Sequence, residues 1–365
     1  MDAIKRQNVG AMRRDPNAKI KVEFDRAPLS QRLKAKYLSL FFLKKVVWYI
    51  FRLILLIGIA YIVLFPFITQ IAGSFMSPED FVDVTVLIIP KHFTLDTYTA
   101  IFNESNYTEA FLNTLILSVS CAVLQTFACA LVAYGIAKFK FKGAKVIFAL
   151  VLLTMIIPHQ TLYSAIFGFF TSFDIRDPIS TVLGGKGLFE FIGGLFNSQD
   201  TVGGMILIDT YMPLIILSLF GLAFKNGLYI FLLRQFFRGV PDELEESAYI
   251  DGSGTFKTFF KIILPLSVPM LITVFLFAFS WQWTDTFYAN MFFKGDSTKL
   301  LPFIVKNIPE TLRKKSEAYL AGQNLYFSAI RNTCGIMIIA PLVIVYVFCQ
   351  KYLVQGIERS GLTAD

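Results

Sequence analysis

The chain has 365 residues, 55% of them hydrophobic and 16% charged, and a net charge of +8. That is too apolar for a soluble globular domain and long enough for several membrane spans, so a polytopic all-α membrane protein is expected. The positive balance does not point to nucleic acid, because 13 of the 34 basic residues fall before Leu53, beside the first apolar run.

Residues 1–45 read as a basic cytoplasmic tail whose Ser30–Lys45 end can lie on anionic lipid. The apolar run 46–71 is the first expected span. Residues 72–109 hold one lysine, Lys91, against six acids, Glu79, Asp80, Asp83, Asp96, Glu104 and Glu109, which places them outside. A second span is expected at 111–137, and four lysines in the loop 138–145 put that loop inside. The third span, 146–170, ends around Pro158-His159-Gln160. The glycine-rich stretch 171–205 reads as an external insert; its Gly184-Gly185-Lys186-Gly187 lacks the spacing and the strand-to-helix frame of a phosphate loop. The fourth span opens at 205–224 and is expected to run on through Gly227 to Phe237 as one long helix, with Arg234 and Arg238 at the inner face. Pro265 and Pro269 should bend the start of the fifth span, 264–283. Residues 285–331 are external by parity, yet they carry seven basic residues, against the charge rule. The last span, 332–352, leads into a cytoplasmic tail, 353–365. Six spans result, forming one transmembrane domain over 46–352 with both termini in the cytoplasm.

The four cysteines lie in apolar stretches, so no disulfide framework is expected, and no residues at metal-ligand spacing suggest a metal site. Residues 53–71, 111–137, 264–284 and 332–350 contain no Asp, Glu, Lys, Arg or His, and His159 reads as the one such group well inside a span. An ion-driven carrier needs ionisable residues at membrane depth, so an externally powered machine fits better.

The most patterned stretch is 241–265, PDELEESAYIDGSGTFKTFFKIILP. Pro241 suits a first helical position, and Asp242, Glu243, Glu245 and Glu246 crowd the turn where unpaired N–H groups favour negative charge. Leu244 and Ala248 share a face until Asp251-Gly252-Ser253-Gly254 stops the helix. Phe256, Phe259, Phe260 and Ile263 then fall at i, i+3, i+4 and i+7, opposite Lys257 and Lys261, as a second amphipathic helix. Two short helices bent about a glycine make a knob too charged to cross a bilayer.

The spacing of Glu246, Ser247 and Ala248, with Gly252, Ile262, Leu264 and Pro265, resembles the EAA loop of ABC-importer permeases, with Ser247 in place of the usual middle alanine. Phe93-Thr94-Leu95 with Tyr98, Asn113-Thr114, Ala133-Tyr134, Phe141-Lys142-Gly143 and the tail Gln350-Lys351-Tyr352-Leu353-Val354-Gln355-Gly356 look like maltose-type carbohydrate permeases. The resemblance implies a type I importer fold in which Glu246, Ser247, Ala248, Asp251, Gly252, Ile262, Leu264 and Pro265 form a coupling element in a groove of a separate ATPase dimer. ATP and Mg²⁺ would bind to that partner and not to this chain. A second permease subunit and an extracytoplasmic solute-binding protein are implied too, in a multi-pass protein of the cell membrane. Polar and aromatic groups on the spans, Asn113, Gln125, Gln160, Tyr163, Trp281, Gln282 and Trp283, are the candidates to line a carbohydrate passage, rings packing on sugar C–H faces and amides on hydroxyls. Trp281 and Trp283 fit interfacial anchors equally well. Amino-acid and polyamine permeases share the loop pattern, and a secondary transporter is the alternative from another class.

Overall fold

A computed structural model describes residues 40–171, 207–293 and 300–359. Nearly all of the tail 1–45 and of the insert 171–205 lies outside the described residues, as do 294–299 and 360–365. The chain divides into two compact units, Met1–Phe67 and Ile68–Asp365. The described part of the first is helix α1, Leu40–Gly73, whose last turns belong to the second. At ~1.5 Å per residue α1 is about 50 Å long, more than the ~30 Å hydrocarbon core demands.

Every regular element among the described residues of the second unit is helical. In order these are α2 (Asp96–Glu104), α3 (Tyr107–Lys138), α4 (Ala144–Ile156), α5 (Tyr163–Thr171), α6 (Met212–Leu219), α7 (Asn226–Gly239), α8 (Glu243–Ile250), α9 (Thr255–Leu266), α10 (Val268–Trp283), α11 (Phe287–Phe292), α12 (Leu301–Ile304), α13 (Glu310–Glu317) and α14 (Gln323–Arg359). Among the described residues, α1, α3 and α14 are each long and apolar enough to cross a membrane unaided. The pairs α4–α5 and α9–α10 qualify only together, bent by 96° and 79°.

The third span bends at the expected Pro158-His159-Gln160: Pro158 ends the first half-helix and a turn at His159–Leu162 redirects the second. One expectation is corrected: the fourth span is not one long helix, since it stops at Leu219 and restarts at Asn226, through a turn in which Gly221 and Lys225 have φ of +69° and +67°. The last helix outruns 332–352 at both ends.

The core forms around α3. Cys121, Ala122, Cys129, Ala130 and Ala133 are fully buried, and these small side chains let α7 and α10 approach closely. One apolar cluster runs from Cys129 and Tyr134 through Leu233 and Phe259 to Trp283 and Ile330, and a second gathers Leu117, Phe170, Leu214 and Phe292. Helix α14 lies on α10 with Gly356 against Pro269 and Thr273, where an added Cβ would stand 2.1 Å from Thr273 Oγ1. That contact accounts for the glycine in the tail motif.

At the end of α3 away from Lys138, three acids from 79–104 bond side chains of 285–331, one of them basic. Lys315 pairs with Asp96 at 2.5 Å, Thr311 hydrogen-bonds Glu104, and the Tyr319 hydroxyl donates to Glu79 at 2.7 Å. Within α13, Glu310 lies 3.8–4.0 Å from Arg313 and Lys314. Beside them His92 Nδ1 meets the buried Asp80 at 2.8 Å.

Candidate functional site

The knob at 241–265 is built as two short helices about a glycine. Helix α8 ends with Gly252 at φ +79°, its N–H bonded to Tyr249 O at 3.0 Å and the Ser253 N–H to Ala248 O at 2.9 Å. This paired closure is a Schellman cap, which needs the left-handed residue that glycine supplies. Helix α9 follows with a wider turn over Phe259–Ile263. The expected apolar stripe is divided: Phe259 and Ile263 are buried beneath the knob, whereas Phe256, at its tip, is 77% exposed. Phe260, the fourth member of the stripe, is also exposed and stacks on Phe127.

What anchors the knob is Lys138, the last residue of α3, whose side chain is 4% exposed. Its ammonium donates to Val240 O at 2.7 Å and Asp242 Oδ1 at 2.6 Å, and stands 3.7 Å from Glu245 Oε1. The lysine also complements the negative end of its own helix. Lys138 holds the Asp242 carboxyl below its ordinary range, and burial pushes Glu245 above it despite the nearby ammonium. Under the same spot the Tyr134 ring packs on Phe259 at 4.7 Å. Loop lysines read only as a topology signal thus include one that builds the site.

Of the coupling residues named from the sequence, Glu246 and Asp251 are exposed, as is Ser247, whose hydroxyl bonds Leu244 O at 3.2 Å. Ala248 is buried, Ile262 and Leu264 are half-buried against the core, and Pro265 is exposed. Sequence reasoning did not single out Glu245 as the acid that turns inward. Only the position of Lys138 separates it from its neighbour Glu246. The outward surface joins Glu246 to exposed Leu244, Tyr249, Ile250 and Phe256.

The passage candidates separate in space. Gln125, buried on α3, donates to Phe224 O at 2.9 Å and to Asn226 Oδ1, so it satisfies the break between α6 and α7. Gln125, Phe224, Trp281, Gln282, Asp285 and Tyr288 line a cavity of about 20 Å³, room for little more than a water molecule. Gln160 is exposed, Asn113 is half-buried, and Tyr163 stacks on Phe167 at 6.1 Å. Trp283 sits elsewhere, fully buried in the core. On the facing helix α14, Pro341 lacks the N–H that would bond Met337 O. The Tyr107 hydroxyl donates to Met337 O at 2.9 Å, and the Trp283 indole donates to Ile338 O at 2.9 Å. The Tyr107 hydroxyl thereby supplies the one donor that the proline removes, and the Trp283 indole ties α10 to the neighbouring carbonyl of α14.

The break also holds Lys225, which the sequence reading passed over when it counted His159 as the only ionisable group inside a span. Its ammonium lies 4.6 Å from the Phe224 ring centroid and 5.1 Å from that of Trp281. His159 packs edge-on to Phe224 at 4.6 Å and bonds the Tyr288 hydroxyl at 2.7 Å. A cation at the centre of a span costs roughly 2.5–3.5 kcal/mol on insertion scales. Asp285, in contrast, is occupied as a cap, accepting N–H groups of Phe287, Tyr288 and Ala289 at 3.0–3.3 Å.

Comparison with known proteins agrees with this architecture. The chain is 30% identical over 273 residues to the alpha-glucoside transport system permease protein AglG of Rhizobium meliloti (strain 1021), covering 75% of this chain and 61% of that protein's length. It is 28% identical to the polygalacturonan/rhamnogalacturonan transport system permease protein YtcP of Bacillus subtilis (strain 168), covering 82% of this chain and 93% of YtcP. The fold matches a crystal structure of a bacterial ABC transporter involved in the import of the acidic polysaccharide alginate, with a TM-score of 0.61, 20% identity, and coverage of 85% of this chain and 97% of that one. The model of the binding-protein-dependent transport system inner membrane component family matches residues 98–359, and the chain belongs to that family of multi-pass ABC transporter permeases.

Proposed function

We propose that this chain is a permease subunit of an ATP-driven importer for carbohydrate, and that the knob at 241–265 couples it to a separate ATPase dimer that binds ATP and Mg²⁺. The carbohydrate reading is supported by the sugar-transport names of its relatives. The coupling reading is supported chiefly by one observation: a capped, lysine-anchored pair of helices whose outer surface leaves Ile250 86% and Phe256 77% exposed around the charged Glu246. Large apolar side chains at the tip of a polar knob suit a groove on a partner. Glu246 meets a cation there, while Glu245 stays with Lys138. In this reading both termini and the knob are cytoplasmic, 46–352 is the permease domain, and 1–45 and 353–365 are tails. The insert 171–205 and the end carrying α2 and α13 face an extracytoplasmic solute-binding protein, and a second permease subunit completes the passage.

The test is transport by the assembled complex. Glu246→Ala strands the partner's cation, at about 3–5 kcal/mol if that pair is fully desolvated. Gly252→Val sets a β-branched residue at φ +79° and breaks the cap. Both variants should insert normally, lose uptake, and lose in parallel the stimulation of ATP hydrolysis by loaded binding protein. Normal uptake and stimulation in both would make the knob an ordinary loop.

A further inference from the structure

The break between α6 and α7 lies deep along α3. Gln125, which bonds both Phe224 O and the Asn226 side chain, is 13 residues from Lys138 and 18 from Tyr107, about 20 Å and 27 Å along the axis at ~1.5 Å per residue. Lys225, between those two partners, is therefore near the middle of a ~30 Å hydrocarbon layer. Three separate factors oppose a lysine at this place. It adopts φ +67°, a region costly for a side chain with a Cβ. It caps the N-terminus of a 14-residue helix, the end that repels cations. No carboxylate among the described residues lies within 4.0 Å of it to form an ion pair. The nearby groups are the Phe224 and Trp281 rings, His159 and Tyr288, and Asp285 engaged with backbone N–H groups.

Such a cation cannot face lipid tails, and a residue disfavoured on three counts persists where function holds it. Its surroundings suit an anion that carries an apolar face. The ammonium and the N-terminus of α7 both attract negative charge. The Trp281 ring beside them, 48% exposed, offers a stacking surface, and Gln282 adds amide hydrogen bonds near by. We infer that Lys225 and Trp281 form a recognition point in the passage for an acidic sugar residue, the carboxylate of a uronate meeting the ammonium while its ring lies on the indole. This rests on the carbohydrate reading above and narrows it to saccharides that carry carboxylates.

The experiment uses host cells bearing chromosomal variants of the full chain and measures initial uptake of four radiolabelled probes: trigalacturonate, its fully methyl-esterified form, arabinotriose and maltotriose. A strain lacking the gene sets the background, and membrane levels of the assembled complex are measured in every strain. The binding protein is common to all strains, so a changed preference reports on this chain. Wild type should prefer trigalacturonate over its ester. Lys225→Gln should reduce the acid-to-ester uptake ratio at least tenfold, Lys225→Arg should keep it within about threefold, and Trp281→Leu should slow both forms while Trp281→Phe retains them. The inference fails if Lys225→Gln leaves the ratio unchanged or lowers both probes alike. It also fails if Lys225→Gln is missing from the assembled complex while Lys225→Arg is present, since the lysine would then pair with an acid of a partner subunit. Gene-dependent uptake of neutral sugars alone would overturn the acidic preference and leave the carbohydrate reading standing. No gene-dependent uptake of any of the four would overturn both.

Discussion

Two lysines, Lys138 at the base of the knob and Lys225 at the break in the fourth span, show how differently one side chain is used at two depths. Lys138 sits at the negative end of its helix with Asp242 at 2.6 Å, Glu245 at 3.7 Å and a backbone carbonyl at 2.7 Å. Lys225 sits at the positive end of its helix, over two aromatic rings and without a carboxylate partner among the described residues. The first is matched to its surroundings and fastens structure. The second is mismatched, which marks a place kept for something that arrives.

The sharpest way to break this contrast is to make the same change at both positions. Lys138→Met leaves Glu245 buried without its cation and frees Asp242, and should cost about 3 kcal/mol, toward the lower end of what breaking a buried pair costs because Asp242 is largely exposed. It should be read as a fall in the thermal midpoint of the purified complex and earlier proteolysis within 241–265. Next in size, Trp283→Phe keeps an aromatic ring in the core but removes the donor to Ile338 O, for about 1–3 kcal/mol of stability. Its uptake preference among sugars should match wild type, unlike that of Trp281 variants; a changed preference would return Trp283 to the passage.

Lys225→Met should move stability the other way, leaving it unchanged or raising it by about 1 kcal/mol, because it relieves a cation at a positive helix end. A loss as large as that of Lys138→Met would end the distinction between the two lysines. The smallest effect concerns pH. Burial raises the Glu245 pKa above its ordinary 4.5, so the folded state holds that proton more tightly and its stabilising share is lost as pH rises from 4.5 through the raised value. Asp242, lowered by Lys138, acts in a separate window: its contribution is present above its ordinary 3.8 and fades as pH falls through the lowered value. Glu245→Gln should flatten the decline above pH 4.5 and leave the acid limb in place, as followed by thermal midpoints of the complex against pH.

The sequence by itself determined what local chemistry controls. Hydrophobic runs marked α1, α3 and α14, the acidic opening and glycine stop delimited α8, and the fixed spacing through Pro265 identified the family. These features depend on residues a few positions apart, where periodicity and caps act. Tertiary structure alone decided the rest. Glu245 and Glu246 are neighbours with the same side chain, and only Lys138, more than a hundred positions earlier, makes one an inward acid and the other an outward one. Trp281 and Trp283 read alike until the Ile338 carbonyl, on another helix, claims the second. Lys225 passed as a residue within a long helix until Gln125, across the bundle, was seen to satisfy a break there. In each case the deciding energy is a pairing between groups far apart in the chain, and a low-dielectric interior makes such pairings strong.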